Sequence, residues 1–229
     1  MPKSLPIEKA MQSSPSRPSL LDTLAHSAVQ RALAALLPCV QAGTLPAPCL
    51  LIDATAGNGH DTCFLASLAQ SCALPQAVQV HAFDVQQAAL AATTARLHSH
   101  SLQQRVCLHH ASHEQAQALL PPALPIAAAM FNLGYLPSGD KTIITKASSS
   151  VAALATLLPR LAEQGVISLH YYTGHAGGAA EAEALLAYAA ALPPKLWRVL
   201  QSHDANREHA GEGLLLLEKL PRKRLCPPA

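Results

Sequence analysis

The feature of this chain that most constrains its fold is a short apolar run that ends in an acid and opens into a turn with two glycines. The run covers residues 50–53 and ends at Asp53, and the turn contains Gly57 and Gly59. This pattern predicts a buried strand that leads into a tight loop, with a helix beginning at about Asp61 or Thr62. Because glycine has no Cβ, the two glycines let the backbone come close to a ligand.

A second short apolar strand follows at residues 78–84. It also ends in an acid, Asp84, which lies 25 residues after Gly59. In a doubly wound α/β sheet, an acid at this place lies beside the first turn, where it can accept hydrogen bonds from a ribose diol. The two features together predict a cofactor that carries a nucleoside. The glycine turn alone is also compatible with a loop that only joins a strand to a helix.

The first turn also indicates which nucleoside cofactor to expect. A dinucleotide site requires a third glycine, so that the helix N-terminus can receive a pyrophosphate. Here the loop continues as Gly59-His60-Asp61, which places an acid where a phosphate would be repelled. The sulfonium and amino group of S-adenosylmethionine tolerate Asp53 and Asp61, and the loop amides can hold its carboxylate. The sequence therefore favours S-adenosylmethionine, with an NAD-dependent oxidoreductase as the alternative.

Composition bounds the class of protein. The chain has 229 residues, of which 50% are hydrophobic and 13% charged, so it can bury a full core. It has no run of 18 apolar residues and no apolar N-terminal core of the signal-peptide kind, so we expect no membrane span. Its six cysteines form no Cys-x-x-Cys pair, which favours reduced thiols and a cytoplasmic location. A net charge of +2 means that any nucleic-acid contact must come from a local patch.

Hydrophobic periodicity predicts strands that alternate with helices, and hence a mostly parallel sheet covered on both faces. The predicted strands are 50–53, 78–84, 105–109, 126–131, 166–171, 197–202 and 214–218. The predicted helices are 19–37, one from about residue 61, 86–98, 151–161 and 181–192, with a connector at 38–48. We expect a disordered tail at 1–18, one domain at 19–220 and a basic tail at 221–229.

The end of the fourth strand carries the strongest indication of chemistry. Asn132 follows an apolar run, and Tyr135 comes three residues later. The Asn132 carbonyl can accept a hydrogen bond from an attacking amine, and Tyr135 can pack against the target base. The segment resembles the Asn/Asp-Pro-Pro-Tyr element of amino-group methyltransferases, with Leu-Gly in place of Pro-Pro. The alternative is that Asn132 caps a turn and Tyr135 belongs to the core.

A wider resemblance rests on several segments that occur in one order along the chain. They are 53–62, 82–86, 112–114, 130–137, 139–140, 144–145 and 172–178, followed by Glu181. Together they resemble the S-adenosylmethionine-dependent methyltransferases labelled rRNA methylases, over about residues 22–219. This family includes the bacterial enzyme that methylates 5-aminomethyl-2-thiouridine at the tRNA wobble position. The resemblance implies a class I methyltransferase fold, which is Rossmann-like with a seven-stranded, mostly parallel sheet and helices on both faces.

The same resemblance implies a function and a set of site residues. The expected reaction is N-methylation of the aminomethyl group of 5-aminomethyl-(2-thio)uridine in tRNA; the alternatives are rRNA or another amine substrate. The expected cofactor-binding residues are Asp53, Thr55, Gly57, Asn58, Gly59, Asp61, Thr62, Asp84, Gln86, His113, Glu114 and Asn132. The expected catalytic residues are Asn132, Tyr135 and His175. Whether the protein forms a homodimer is left open.

Each of His109, His113 and His175 has two candidate roles. His109 and His113 are four residues apart, but no partner spacing completes a metal site, so we expect no metal. His113 and Glu114 lie beside the adenine in one reading and cap the next helix in the other. His175 follows the fifth strand in a glycine-rich loop, where it handles substrate or proton, or only shapes a turn. A catalytically silent RNA-binding protein is a further alternative, although such a protein would be expected to lose Asp84 or Asn132.

Overall fold

The computed structural model describes residues 19–134, 144–206 and 211–222. The strands are β1 (Cys49–Asp53), β2 (Val78–Asp84), β3 (Val106–His110), β4 (Ile126–Asn132), β5 (Leu161–Tyr172), β6 (Trp197–Ser202) and β7 (Glu212–Lys219). The helices are α1 (Leu20–Gln41), α2 (His60–Ser71), α3 (Gln87–Ser99), the single turn α4 (Ala116–Leu119), α5 (Ala147–Leu157) and α6 (Gly178–Ala190).

The seven strands form one sheet in the order β3-β2-β1-β4-β5-β7-β6. Strands β1 to β5 pair in parallel, and β7 runs antiparallel to both of its neighbours. The predicted class I methyltransferase architecture, with a seven-stranded and mostly parallel sheet, is confirmed. The strand order reverses between β1 and β4, which is where open α/β sheets bind their ligands, outside the carboxyl ends of the strands.

Helices cover both faces of the sheet because successive strand residues point in opposite directions. Leu51 of β1 packs with α1 and α2 on one face, and Leu50 and Ile52 pack with α5 and α6 on the other. The central strands are buried on both sides, and this is why they read as continuous apolar runs. The result is a rigid sheet whose carboxyl edge carries Asp53, Asp84 and Asn132.

Several predicted boundaries are corrected by the structure. Helix α1 runs on to Gln41 with Pro38 inside its last turns, so the predicted connector at 38–48 begins later than expected. The helix predicted at 151–161 lies at Ala147–Leu157, because a 3-10 turn containing Pro159 follows it and β5 begins at Leu161. The short helix α4 was not predicted.

The predicted tails fall at the limits of the description. Residues 1–18 lie outside the described residues, and so do 223–229 of the predicted basic tail. In the described part of the chain, no helix is both long enough and apolar enough to cross a membrane.

Candidate active site

A cleft of about 550 Å³ opens at the carboxyl edge of the sheet, across the ends of β1, β2 and β4. Most of the site residues predicted from sequence line it. These are Thr55, Gly57, Asn58, Asp61, Asp84, Gln86, His113, Asn132 and His175. Asp53, Gly59, Thr62 and Glu114 do not line the cleft, and Tyr135 lies outside the described residues.

The glycine turn is held in place by helix α3. The Thr93 hydroxyl donates to the Gly57 carbonyl at 3.1 Å, and Arg96 Nε donates to the Asn58 carbonyl at 2.7 Å. Gly57 and Gly59 both have positive φ, 53° and 79°. A Cβ on Gly59 would lie 2.9 Å from the Thr93 Cα, so this glycine is needed for close packing against α3. Gly59 thus allows a close approach between loop and helix, and its predicted approach to the ligand stays a prediction.

Asp84 is already oriented by the backbone. Its Oδ2 accepts the Gly57 amide at 2.9 Å, and its Oδ1 accepts the Gln86 amide at 2.8 Å. Each carboxylate oxygen has a second lone pair, so both can still accept a hydroxyl from the cleft. The side chain is therefore fixed in place with accepting capacity to spare, as the ribose prediction requires.

Asp53 and Thr62 lie beneath the turn and do not reach the cleft. Asp53 is 1% exposed, accepts the Thr62 hydroxyl at 2.5 Å on Oδ2 and accepts the Thr55 amide at 3.1 Å on Oδ1. Burial, together with the nearby Asp61 carboxylate, raises the pKa of Asp53 to about 7. Both residues thus support the loop from below, and their predicted contact with the cofactor stays a prediction.

Asp61 lines the cleft and contacts a residue, His26, that was not among the predicted site residues. His26 Nε2 of α1 lies 2.8 Å from Asp61 Oδ1, and the His26 ring stacks on Phe64 at 3.8 Å between centroids. Helix α1 was predicted only from its apolar face. The structure shows that its polar side also reaches the mouth of the cleft.

His113 lines the cleft from below as a buried side chain. Its ring meets Phe131 edge-on, and its buried Nε2 has no hydrogen-bond partner among the described residues. Burial lowers its pKa, so the ring is neutral near pH 7. The neighbouring Glu114 is exposed and does not line the cleft, and Ser112 accepts the Glu114 amide at 3.4 Å and caps the turn. That His113 and Glu114 lie beside the adenine stays a prediction.

Asn132 stands exposed at the end of β4, over the glycine turn. Its backbone amide donates to the Thr55 hydroxyl at 2.7 Å, and this hydrogen bond ties the end of β4 to the loop after β1. Its side chain hydrogen-bonds the Tyr172 phenol. Asn132 also lines the cleft, so its side-chain amide lies at the carboxyl edge of the sheet, beside the loop after β1.

Tyr172, which also lines the cleft, belongs to a polar cluster behind Asn132. It stacks on His170 at 4.9 Å between ring centroids. The two ring nitrogens of His170 lie 3.3 Å from Asp22 Oδ1 and 3.5 Å from Glu212 Oε2. Burial, and then the charge of Glu212, raise the pKa of Tyr172 to about 12, so the phenol stays neutral. This wall of the cleft was missed from sequence because its members come from three distant segments.

His175 lines the cleft from the loop after β5, which is two strands away from β1 and the glycine turn in the sheet. Its Nδ1 donates to the Ala176 carbonyl at 3.0 Å, and a Cβ on Gly134 would lie 3.5 Å from its Nε2. It therefore covers the backbone just after Asn132. Among the described residues, no three His, Cys, Asp or Glu side chains come together as a metal site.

Comparison with known proteins identifies the family. The model of the family described as "Putative rRNA methylase" matches residues 80–218, which is more than half of the chain. The chain belongs to this family. A curated relative, the chloroplastic tRNA (mnm5s2U34)-methyltransferase of Arabidopsis thaliana, is 32% identical over 160 residues. That match covers 69% of this chain and 58% of the relative, so the chain spans less than two thirds of the plant protein.

Solved structures agree with this family. A protein of Clostridium thermocellum described as a "putative rRNA-methylase" has a TM-score of 0.75 and 29% identity, covering 89% of this chain and 100% of that one. A "putative methyltransferase" of Streptococcus mutans, solved in complex with SAH, has a TM-score of 0.71 and 29% identity with the same coverage. The prediction of an S-adenosylmethionine-dependent methyltransferase of the rRNA methylase family is confirmed.

Proposed function

We propose that this protein transfers the methyl group of S-adenosylmethionine to the aminomethyl nitrogen of 5-aminomethyl-(2-thio)uridine at the tRNA wobble position. The observation that carries the proposal is the place of Asn132, exposed in the cleft at the end of β4, beside the turn that would hold the cofactor. When bound, the cofactor supplies a methyl group on a positively charged sulfur. The protein then has to align a neutral amine with it.

The cleft suits this cofactor. Asp84 offers two oriented oxygens to a ribose diol, and Asp61 offers a carboxylate to an amino group. Among the described residues that line the cleft there is no Lys or Arg, whereas two carboxylates do line it. Such a lining favours a sulfonium and disfavours a pyrophosphate. SAH, seen in the Streptococcus mutans relative, is what remains of S-adenosylmethionine after methyl transfer.

The acceptor chemistry favours a nitrogen nucleophile. A free alkylamine has a pKa of roughly 10 and must lose a proton before it attacks. Desolvation in the cleft and acceptance of the remaining N–H by Asn132 Oδ1 would favour the neutral amine. Methylation of uridine C5 would instead need a cysteine to attack C6. Of the five cysteines in the described ranges, none lines the cleft.

The tRNA substrate is supported by the Arabidopsis relative, whose name specifies mnm5s2U34 in tRNA. The second candidate is an rRNA or another amine substrate. The family description names rRNA and so favours the rRNA. Family membership leaves no support for the NAD-dependent alternative. The cytoplasmic location stays a proposal, since the relative is chloroplastic.

The test is methyl incorporation from labelled S-adenosylmethionine into two pools of tRNA. One comes from cells that make the aminomethyl intermediate, and the other from cells that lack it. We expect label only in the first pool, with the methylated nucleoside identified by mass spectrometry. Equal labelling of both pools would contradict the proposed acceptor and would indicate methylation of a base or ribose. Labelling of rRNA alone would support the second candidate.

A further inference from the structure

The backbone that carries Asn132 is held at three successive amides. The Asn132 amide donates to the Thr55 hydroxyl, the Leu133 amide to the His170 carbonyl at 2.8 Å, and the Gly134 amide to Thr145 Oγ1 at 2.9 Å. The Thr145 amide in turn donates to the Gly134 carbonyl at 2.9 Å. Thr145 therefore pairs with the loop after β4 in both directions.

A buried carboxylate sets the direction of the Thr145 hydroxyl. That hydroxyl donates its one proton to Glu181 Oε2 at 2.7 Å. Because the proton is committed to Glu181, only the hydroxyl's lone pairs remain for Gly134, and the Gly134 amide is the donor that meets them. Without an acceptor at Glu181, the hydroxyl could rotate and turn its proton toward the loop.

Glu181 is buried next to apolar residues, where a carboxylate costs free energy unless it is hydrogen-bonded. It is 3% exposed on α6, whose neighbours Ala182 and Leu185 belong to the apolar core. Its second oxygen, Oε1, accepts the hydroxyl of Ser150, a fully buried residue of α5, at 2.6 Å. We call the Ser150–Glu181 hydrogen bond the helix arm, because it joins α5 to α6. We call the Thr145–Glu181 hydrogen bond the loop arm, because the Thr145 hydroxyl also accepts the Gly134 amide in the loop after β4. The hydrogen bond to Thr145 therefore links this pair of helices to Gly134, two residues after Asn132.

We infer that Glu181 is a positioning residue for methyl transfer: through the Thr145 hydroxyl it fixes Gly134, and with Gly134 it fixes the acceptor-binding Asn132 two residues earlier. The inference rests on the proposed function, because Asn132 matters only if it receives the acceptor amine. A misplacement of about 1 Å at a reacting group can reduce the rate on the order of 100-fold. The loss should therefore appear in the rate of transfer and not in cofactor affinity.

The test compares two variants that break the loop arm with two controls. Thr145→Val keeps the side-chain shape and removes the hydroxyl, and Glu181→Gln replaces one accepting oxygen by a donor. We expect both to lower the single-turnover rate of methyl transfer to aminomethylated tRNA by about 10- to 100-fold. Affinity for SAH should stay within about threefold of wild type. Thr145→Ser restores the hydroxyl and should restore the rate to within about threefold.

Ser150→Ala is the matched control, because it breaks only the arm that joins α5 to α6. It should lower the melting temperature while the transfer rate stays within about threefold of wild type. If Ser150→Ala slows transfer as much as Thr145→Val, the carboxylate is a structural clamp between helices and the inference is wrong. The same holds if Thr145→Val transfers methyl at the wild-type rate.

A second readout does not depend on the substrate. Leu133-Gly134 is the one Leu-Gly pair in the chain, so labelling leucine carbonyl with ¹³C and glycine nitrogen with ¹⁵N assigns the Gly134 amide directly. Its hydrogen exchange should accelerate at least about tenfold in Thr145→Val and Glu181→Gln and stay unchanged in Ser150→Ala. Unchanged exchange in the first two variants would overturn the inference. If the wild type fails to methylate the tRNA, the proposed function fails, and this amide still decides whether Glu181 holds the loop.

Discussion

Replacement of Asp84 by Asn tests the cofactor site most directly. In the structure the Asp84 carboxylate accepts the Gly57 and Gln86 amides, one on each oxygen. The remaining lone pairs would accept the two ribose hydroxyls. Asp84→Asn keeps the size of the side chain, removes the negative charge and turns one acceptor into a donor. It should therefore lose one ribose hydrogen bond, weaken the other, and leave either the Gly57 or the Gln86 amide without its acceptor.

The expected size of the effect follows from these contacts. A hydrogen bond to a charged group contributes about 1.5–3 kcal/mol. Loss of one such bond predicts a dissociation constant for SAH that rises by roughly 10- to 150-fold, since about 1.4 kcal/mol corresponds to a factor of ten. Asp84→Ala would leave both backbone amides without an acceptor, whereas Asp84→Asn affects one, so the alanine variant would mix more damage to the loop with the loss of ligand contacts.

Isothermal titration calorimetry with SAH and with its 2′,3′-dideoxy analogue separates these contributions. Wild type should bind the analogue much more weakly than SAH, whereas Asp84→Asn should discriminate far less between the two. The control variant is Thr94→Val, which removes a hydrogen bond from the Thr94 hydroxyl to the Leu90 carbonyl within α3 and does not contact the glycine turn. It should change SAH affinity by less than about threefold. Equal discrimination by wild type and Asp84→Asn would refute the assignment of Asp84 to the ribose.

Three further outcomes are expected. Asn132→Ala should keep SAH affinity and lose most of the single-turnover rate, because it removes the oxygen that accepts the amine N–H; a wild-type rate would remove that role. Tyr172→Phe, which keeps the ring stacked on His170 but frees the Asn132 amide to rotate, should lower the same rate by about tenfold, and an unchanged rate would show that the phenol does not orient Asn132. The raised pKa of Asp53, about 7 against 3.8, means that the folded state holds a proton that the unfolded state releases between about pH 4 and 7, so stability falls over that window by up to ~4 kcal/mol. In urea unfolding from pH 4.5 to 8, the free energy of unfolding of Asp53→Asn should rise relative to that of wild type as the pH increases to 7. Parallel pH dependences of the two free energies would contradict a buried, protonated carboxyl at Asp53.

Much of the fold could be predicted from sequence because its central strands are buried on both faces. Strands β2 and β6 lie at the predicted residues, 78–84 and 197–202. Two of the errors fall at helix ends near prolines, since Pro38 lies inside α1 and Pro159 follows the end of α5. Helix α1 continues past the predicted end at residue 37 because a proline removes only one backbone hydrogen bond and the following Val40 is buried. Single-sequence patterns do not weigh that burial.

The candidate site divides into a half that the sequence revealed and a half that it did not. The cofactor half is local, since Gly57, Asp61 and Asp84 lie in two short segments with a recognisable spacing. The other half draws on α1, β5 and β7, where Asp22, His170 and Glu212 meet only after the chain has folded. Nothing in the spacing of these residues distinguishes them from surface charges. Glu181 occurs among the segments that carry the family resemblance, but its burial and its contact with Thr145 appear only in the structure.

This division has a physical reason that bears on specificity. A cofactor shared by many enzymes is bound mainly by backbone and by one or two acids at fixed places in the sheet, and such places leave a short-range pattern. An acceptor amine must instead be aligned in three dimensions, so its site needs supports from several directions. Asn132 receives them from Thr55 below, from Tyr172 on one side and, through Gly134 and Thr145, from the buried carboxylate of α6. Changes in any of these supports should therefore alter the rate and choice of acceptor while cofactor binding, which depends on Asp84 and the glycine turn, is retained.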